Sequence, residues 1–388
     1  MRPFLLSLPF AVLLSSPASA QCGGDFSAFV QGLRAEVQAR GLSTAQAEGF
    51  FRGVRQDDRV LRADRSQGVF RNNFNEFSGA VISQNRLTNG AKMSAKYDAI
   101  FDRIARDYGV PRGILLAFWA LETDYGAVQG DFNTRDALVT LAHDCRRPDL
   151  FRPQVLAAAE LYRRGDFDPA RNLGAWAGEI GQVQMLPADI LENGVDGDGD
   201  GHVNLKGSAP DALMSGAKMI AGMGWRRGEP WMQEIIVPEG LDWAKTGIET
   251  ELPTADWARM GVQARDGQLA GGRGSVLLPM GRKGPAFMVY PNFRLLFEWN
   301  KSFVYVTTAA YFATRLEGAP RFTLGAPEAG LTVDQMKALQ VKLTARGHDV
   351  GPVDGILGAK TRQAVQREQA RLGLPADAWP TAALLARL

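Results

Sequence analysis

Residues 115–126 have the sequence LLAFWALETDYG, an apolar run of helical character that ends on one carboxylate. Helical spacing puts Glu122 on the same face as Phe118 and Trp119, so its side chain leaves a helix face that is committed to burial. Burial disfavours the ionised form of a carboxyl and raises its pKa, which lets a glutamic acid serve as a general acid near neutral pH. The alternative is a glutamate that turns to solvent at the helix end or pairs with an arginine.

Composition and charge exclude some partners. The 388 residues include 44 Lys plus Arg and 42 Asp plus Glu, which gives a formal net charge of +2 at pH 7. Because this near balance lacks the basic footprint of a nucleic-acid-binding protein, we expect no nucleic-acid partner. After the short N-terminal apolar run, no later apolar run is long enough to cross a bilayer, so we expect no membrane span. The length predicts two or three domains.

The N-terminus has the pattern of a secretory signal. Arg2 supplies the positive start, residues 4–14 form a short apolar core, and residues 18–20 are a small-residue cleavage site. We therefore predict a signal peptide over residues 1–20 and a mature chain that starts at Gln21.

Cys22 and Cys145 are the two cysteines of the chain, and both lie in the exported part. An oxidising compartment permits them to pair, and we expect a disulfide that ties the N-terminal tail to the domain carrying Glu122. The alternative is two free buried thiols. Acylation of Cys22 as a lipoprotein is disfavoured, because Gln21 stands where a small residue is needed.

The chain divides into segments that differ in composition and in hydrophobic periodicity. Residues 26–108 show helical spacing, and residues 234–291 change to short segments rich in Gly, Pro and Trp that indicate a small strand-bearing subdomain. Helix returns over residues 292–315. Residues 317–330 contain prolines and glycines without periodicity and are typical of a linker, and residues 331–388 form a compact final unit. We predict a mainly α fold.

An acidic loop with the sequence DGDGDGHVNL occupies residues 196–205. Asp196, Asp198 and Asp200 stand at positions 1, 3 and 5 of an EF-hand-like loop, with glycine at position 6 and the backbone carbonyl of His202 at position 7. The bidentate glutamate usual at position 12 is replaced by glycine. We expect a structural calcium site, against the alternative of a solvated Asp-Gly turn.

The final unit, residues 331–388, carries a specific set of motifs. They read Leu339-Gln340-x-x-Leu343-x-x-x-Gly347, then Gly351-x-x-Asp354-Gly355-x-x-Gly358-x-x-Thr361. This pattern resembles the three-helix peptidoglycan-binding domain attached to many cell-wall hydrolases. The alternative is a generic small helical domain.

Beside that unit, the Glu122 segment resembles the catalytic helix of the lytic murein transglycosylases of the B type, whose motif is Glu-Thr-x-x-Gly after an apolar run. Residues 175–187, AWAGEIGQVQMLP, resemble the family block Ser-Trp-Ala-Gly-Ala-Met-Gly-x-x-Gln-Phe-Met-Pro, and residues 298–305 resemble Arg-Tyr-Asn-x-Ser-x-x-Tyr. The resemblance covers most of residues 26–316. It implies a lysozyme-like helical catalytic domain over residues 21–316.

The resemblance also implies roles for individual residues. Glu122 becomes the single general acid and base, no cofactor is required for the chemistry, and the calcium loop ends on a later aspartate, here Asp211. The residues that we expect to contact the substrate are Gln184, Asn300, Tyr305, Trp299, Arg146, Arg147, Met185 and Tyr125. The implied partners are peptidoglycan glycan strands and wall-remodelling proteins, and the implied location is the periplasm.

One departure from the family pattern bears on activity. Ala175 stands where the family has a serine that helps to orient the catalytic carboxyl, and Glu179 and Gln182 are the candidates to compensate. Two rival readings follow. A hydrolytic muramidase would let water attack the same bond, and a non-catalytic scaffold would bind peptidoglycan without cleaving it.

Overall fold

The structure, a computed structural model, describes residues 22–66 and 72–388. The predicted signal peptide over residues 1–20 lies outside the described residues. By its contacts the described chain forms two compact units. Unit 1 comprises the described residues up to Arg65, then Asp131–Glu179 and Leu186–Ala188, and unit 2 comprises those of Ser66–Gly130, Ile180–Met185 and Asp189–Leu388. In the described ranges no helix combines the length and the apolarity that crossing a membrane requires.

Helices dominate both units. In chain order they are α1 (Phe26–Ala39), α2 (Thr44–Phe51), α3 (Asp58–Arg65), α4 (Phe74–Val81), α5 (Gln84–Lys96), α6 (Asp98–Tyr108), α7 (Arg112–Thr123), α8 (Thr134–His143), α9 (Pro148–Arg164), α10 (Pro187–Asn193), α11 (Ala209–Gly222), α12 (Thr254–Arg259), α13 (Pro291–Trp299), α14 (Phe303–Leu316), α15 (Val333–Ala345), α16 (Ala359–Arg371) and α17 (Ala382–Arg387).

The strands form two antiparallel sheets. They are β1 (Phe132–Asn133), β2 (Leu173–Gly174), β3 (Met232–Ile236), β4 (Leu252–Pro253), β5 (Gln263–Ala264), β6 (Arg273–Leu277) and β7 (Phe287–Val289). In unit 1, β1 pairs with β2; in unit 2 the order is β4-β6-β7-β3-β5. The second sheet packs over its own core, which includes Trp257, Val276 and Met288. This sheet is the predicted strand-bearing subdomain.

The Glu122 helix, α7, is central to unit 2. Every residue from Gly113 to Ala120 is buried, as expected for a helix that is apolar on all sides. Pro111 is the N-cap residue that precedes the helix. The helix predicted over residues 292–315 is interrupted, because the chain is extended at Asn300 and Ser302 caps a new helix, α14, that packs against α7.

The C-terminal unit contains the three predicted helices, α15, α16 and α17, around a core that includes Leu339, Leu343 and Val365. Residues 319–332, which precede it, contain no helix or strand but are anchored. Phe322 is 6% exposed and stacks on Phe74 of α4. The mainly α fold with a small strand-bearing subdomain and a three-helix C-terminal module is as predicted.

The disulfide between Cys22 and Cys145 is confirmed, with a Cα–Cα distance of 5.2 Å. Both cysteines belong to unit 1, whereas Glu122 belongs to unit 2. The bridge therefore ties the N-terminal tail to unit 1, because the chain leaves the Glu122 unit at Gly130 before it reaches Cys145.

Candidate active site

The carboxyl of Glu122 accepts two hydrogen bonds on one oxygen. The Tyr305 hydroxyl donates to Oε1 at 2.5 Å, and the Trp299 indole N–H donates to the same atom at 3.1 Å. In the part of the chain that the structure describes, no hydrogen bond reaches Oε2. Because an indole N–H can only donate, Oε1 is held as an acceptor, and Oε2 is the oxygen left to carry a proton.

Both donors are positioned by aromatic packing on α7. The Trp299 ring stacks on Phe118 with a centroid distance of 4.5 Å and an interplanar angle of 21°, and the Tyr305 ring lies 6.3 Å from Phe118. Phe118 is buried and leaves α7 one turn before Glu122, so α7 itself supplies the surface that orients the donors. Trp299, predicted to contact substrate, is thus engaged with the Glu122 carboxyl.

Burial raises the pKa of Glu122 above that of an ordinary glutamate, and the hydrogen bonds from Tyr305 and Trp299 partly oppose the increase because they favour the charged form. Glu122 nevertheless remains partly exposed. Tyr305 is 6% exposed, and burial raises its own pKa well above the usual range, so it remains a neutral donor. The predicted elevation of the Glu122 pKa agrees with this environment.

Thr123 and Gly126 lock the end of α7 to the segment Ile180–Met185. The Thr123 hydroxyl donates to the backbone carbonyl of Gln182 at 2.6 Å and accepts the Gly126 N–H at 2.9 Å. Gly126 has a φ of +87°, and a Cβ there would lie 2.6 Å from the Gln182 side chain. These contacts give the pattern Glu-Thr-x-x-Gly a physical reason: the threonine bonds the neighbouring segment and the glycine leaves room for it.

The two residues between Thr123 and Gly126 have left-handed backbones. Asp124 and Tyr125 have φ values of 51° and 61°, a conformation that costs roughly 1–2 kcal/mol for each non-glycine residue. Arg86 of α5 holds both: its Nε bonds the Asp124 carboxylate at 3.0 Å, and its carbonyl accepts the Tyr125 hydroxyl at 2.7 Å. The hydroxyl that we predicted to contact substrate is committed to this carbonyl.

Other predicted substrate residues of unit 2 have varied surroundings. Gln184 has a φ of +52° and its amide donates to the Gly181 carbonyl at 2.7 Å, which closes a tight turn. Met185 is 2% exposed and belongs to the core, so it offers almost no surface to a sugar. The side chain of Asn300 accepts the Ser302 N–H at 2.8 Å between α13 and α14. Of the predicted residues in this unit, Tyr305 and Trp299 are the ones bonded to Glu122.

Arg146 and Arg147 lie in unit 1, where both guanidinium groups bond the carboxylate of Asp64 in α3. Asp64 is 1% exposed, so it needs these cations as partners. Ala175 also lies in unit 1, and its backbone N–H bonds the Glu179 carbonyl at 3.0 Å. The paired arginines therefore have a structural partner that sequence alone did not reveal.

Three of the predicted metal-binding carboxylates converge. Oxygen atoms of Asp196, Asp198 and Asp211 all lie within 4.8 Å of one another. Asp211 is fully buried, and its two oxygens accept backbone N–H groups from Gly197 and Asn204. Clustered carboxylates repel one another, and such an oxygen set suits a hard cation.

The side chains of Asp200 and His202 lie outside this group of three carboxylates. The Asp200 carboxylate accepts the backbone N–H of His202 at 2.9 Å, and both residues are exposed at the tip of the loop. The loop departs from an EF-hand as the family resemblance implies, because it returns to Asp211 in the first turn of α11 rather than to a ligand at position 12.

The sequence reasoning overlooked Phe118, Thr123 and Arg86 as parts of the site. Thr123 carried a signal, since it follows the glutamate in the motif. Arg86 carried none, because its two contacts depend on how α5 packs beside α7.

Two family models match the chain. The model described as the transglycosylase SLT domain matches residues 25–314, and the model described as a putative peptidoglycan-binding domain matches residues 332–388. The membrane-bound lytic murein transglycosylase B of Escherichia coli (strain K12) is 28% identical over 224 residues. That match covers 57% of this chain and 61% of the curated relative, so the chain spans less than two thirds of that protein's length.

Solved structures agree more extensively. SltB3 from Pseudomonas aeruginosa, determined in complex with NAG-anhNAM-pentapeptide, is 35% identical with a TM-score of 0.86, over 94% of this chain and 99% of that one. The Escherichia coli lytic transglycosylase Slt35 in complex with calcium is 26% identical with a TM-score of 0.65, over 78% of this chain and 98% of that one. These likenesses confirm the predicted fold class, a lysozyme-like catalytic domain with a small helical module.

Proposed function

This chain belongs to the transglycosylase SLT domain family, and on that premise we propose that it cleaves peptidoglycan glycan strands as a lytic transglycosylase. The bond broken is the β-1,4 link between N-acetylmuramic acid and N-acetylglucosamine. The product carries a 1,6-anhydromuramic acid end, because the sugar's own hydroxyl replaces water as the nucleophile.

Glu122 performs both proton transfers in this proposal. Its Oε2 proton passes to the glycosidic oxygen as the bond to the muramic C1 breaks, and the resulting carboxylate then takes the proton of the C6 hydroxyl. The C6 oxygen attacks C1 and closes the anhydro ring, so Glu122 ends protonated and no water is consumed. One carboxyl with a pKa near the working pH is enough for such a sequence.

The observation that carries the proposal is the pair of donors on Glu122 Oε1. Tyr305 and Trp299 fix the rotation of the carboxyl and stabilise the carboxylate that forms midway, while burial favours the protonated form beforehand. Ala175 lacks the hydroxyl of the family serine, but the side chains of Tyr305 and Trp299 orient the Glu122 carboxyl without it. This arrangement favours an enzyme over a non-catalytic scaffold.

The hydrolytic alternative needs a second carboxylate across the bond. Asp124 is the acid nearest to Glu122 in sequence, and it is ion-paired with Arg86 at 3.0 Å. A carboxylate held in that pair is poorly suited to activate water, which supports the transglycosylase over the muramidase.

The C-terminal module is proposed to bind the wall and so to raise the local concentration of substrate. The sequence features of a secretory signal, together with the disulfide between Cys22 and Cys145, support export to the periplasm.

Calcium is proposed as a structural ion held by Asp196, Asp198 and Asp211, and the calcium complex of the related Slt35 supports this. The ion would neutralise the three carboxylates and stabilise the loop before α11. We expect calcium at about 100 times its dissociation constant to stabilise the fold by about 3 kcal/mol, measured as a rise in Tm over EDTA. Asp211→Asn should abolish the response and Asp200→Asn should keep it; no response in the unmodified protein would refute the site.

The test of the activity is mass spectrometry of purified sacculi digested with the protein. Anhydromuramyl ends are expected, with Glu122→Gln inactive and the exposed Glu239→Gln unaffected. Reducing ends alone would establish a muramidase. Absence of any product, with retained binding to sacculi, would establish a scaffold.

A further inference from the structure

Arg362 of the C-terminal module is an unusually buried arginine. The residue is 8% exposed, although arginine is normally a surface residue. Its Nη2 donates to the carbonyl of Pro279 in the strand-bearing subdomain at 2.7 Å, and its guanidinium lies 4.2 Å from the ring centroid of Phe303. Burial lowers its pKa to about 9, with Asp377 acting in the opposite direction, so the group remains charged at neutral pH.

The contact falls at a sensitive point of the catalytic domain. Phe303 is the first residue of α14, and Tyr305, which donates to Glu122, is two residues further along the same turn. Ser302 caps this turn from the other side by accepting the Tyr305 N–H at 3.4 Å. The position of the first turn of α14 therefore depends on what packs against Phe303.

The module is docked at this place by further polar contacts. The Gln366 side chain donates to the carbonyl of Thr246 at 2.8 Å, and the Asp377 carboxylate accepts the backbone N–H of Arg282 at 3.1 Å. A module that served only as a tethered binder would have no need to bury a charged side chain in the catalytic domain, because desolvating a charge is costly unless partners replace the water.

We propose that Arg362 is a positioning residue for the lytic transglycosylase reaction: it clamps Phe303, fixes the first turn of α14 and thereby holds Tyr305 on Glu122. This inference rests on the proposed function and assigns the module a role beyond wall binding. The clamp acts by cation–π contact with the ring and by hydrogen bonds to the subdomain backbone.

The test compares Arg362→Met with Arg367→Met, since Arg367 is an exposed arginine on the same helix. On a soluble glycan fragment, Arg362→Met should lower kcat on the order of tenfold with KM unchanged, because a small misplacement of a positioned group is costly. The alkaline limb of its pH–rate profile should move upward, because weakening the Tyr305 bond to the carboxylate raises the Glu122 pKa. Arg367→Met should change neither quantity.

A double-mutant cycle separates the clamp from general destabilisation. In a Tyr305→Phe background, Arg362→Met should produce no further shift of the alkaline limb, since the hydrogen bond from Tyr305 to Glu122 is already absent. Phe303→Leu, which keeps an apolar side chain but removes the ring face, should reproduce the Arg362→Met shift in a folded protein. Additive effects, or an unshifted limb in both single variants, would overturn the proposal.

The outcome is distinguishable from failure of the proposed function. If the unmodified protein cleaves nothing, the Glu122 pKa in Arg362→Met and Arg367→Met is read by carbon NMR of the labelled carboxyl. An increase confined to Arg362→Met supports the clamp even then, and equal pKa values refute it.

Discussion

Glu122 at the end of α7 and Glu368 in α16 both hold a carboxyl withdrawn from solvent, yet their pKa values move in opposite directions. Glu122 receives neutral donors, Tyr305 and Trp299, and burial raises its pKa. Glu368 is 4% exposed and accepts hydrogen bonds from Arg371 at 2.7 Å and from His348 at 2.8 Å. The hydrogen bond from Arg371 lowers its pKa.

Burial alone therefore does not decide whether the pKa of a carboxyl rises or falls. A cationic partner compensates the carboxylate and fixes it as a structural ion pair. Neutral donors compensate it only in part, so burial still favours the protonated form. The partners of a buried glutamate therefore decide between a structural and a chemical role.

The largest effect that tests this contrast is on turnover. Glu122→Gln removes the titrating proton at nearly constant volume, and we expect the rate of anhydro product formation to fall by about 100-fold or more. Glu368→Gln should leave the rate on soluble fragments within a factor of a few. Rates are measured by chromatography of the products. Near-normal turnover by Glu122→Gln would place the acid elsewhere.

The next effect concerns the stronger neutral donor. Tyr305→Phe removes the hydroxyl that stabilises the carboxylate, so the Glu122 pKa should rise by about one unit, because a hydrogen bond to a charged group is worth about 1.5 kcal/mol. Activity that needs the protonated acid is lost as pH rises through that pKa, so the alkaline limb of the pH–rate profile should move to higher pH. A limb that moves to lower pH would contradict the assignment.

Trp299→Phe is expected to act in the same direction as Tyr305→Phe but more weakly. It keeps an aromatic ring for stacking on Phe118 and removes the longer of the two hydrogen bonds. An upward shift of less than about one pH unit is expected. A kcat that falls while the limb stays fixed would mean that the indole acts on the substrate rather than on the carboxyl.

The smallest effect is on stability and has opposite signs at the two sites. Because the pKa of Glu122 is raised in the folded state, the protein loses stability as pH rises from the ordinary glutamate pKa through the folded value. Glu122→Gln removes this loss, so it should raise Tm at pH 8 and change it little at pH 4. A lowered folded pKa contributes stability above the ordinary value that is lost as pH falls through the folded value. Glu368→Gln should therefore lower the free energy of unfolding at neutral pH on the order of 1 kcal/mol, which appears as a lower Tm. The decrease should be smaller in acid.

Calorimetry of both glutamine variants at the two pH values checks these signs, with Glu239→Gln as the exposed control. A stabilisation of Glu368→Gln at neutral pH would show that its cationic partners do not compensate its burial.

Much of the site could be inferred from sequence because some of its features depend on residues that are close together in the chain. The apolar run that ends on Glu122 predicts a desolvated carboxyl, and the three-helix module follows from its motifs. The identity of the donors could not be inferred, since whether Trp299 faces a sugar or a carboxyl depends on the break at Asn300 that redirects α14.

Other contacts that the sequence did not reveal have the same origin in long-range packing. The two arginines expected at the substrate bond Asp64, which lies 82 and 83 positions earlier in the chain. The contact between Arg362 and the catalytic domain could not be predicted from the sequence either, because an arginine in an otherwise polar helix gives no sign of burial. The sequence pattern identifies which groups can ionise, and the tertiary contacts decide which charge each one meets.

The most direct test is a carbon NMR titration of the glutamate side-chain carboxyls in the labelled protein, with Glu122→Gln and Glu368→Gln used to assign the two resonances. We expect a Glu122 pKa above that of an ordinary glutamate and a Glu368 pKa below it. A Glu122 pKa at or below the ordinary value would contradict the proposal that burial beside two neutral donors favours the protonated acid that the reaction needs.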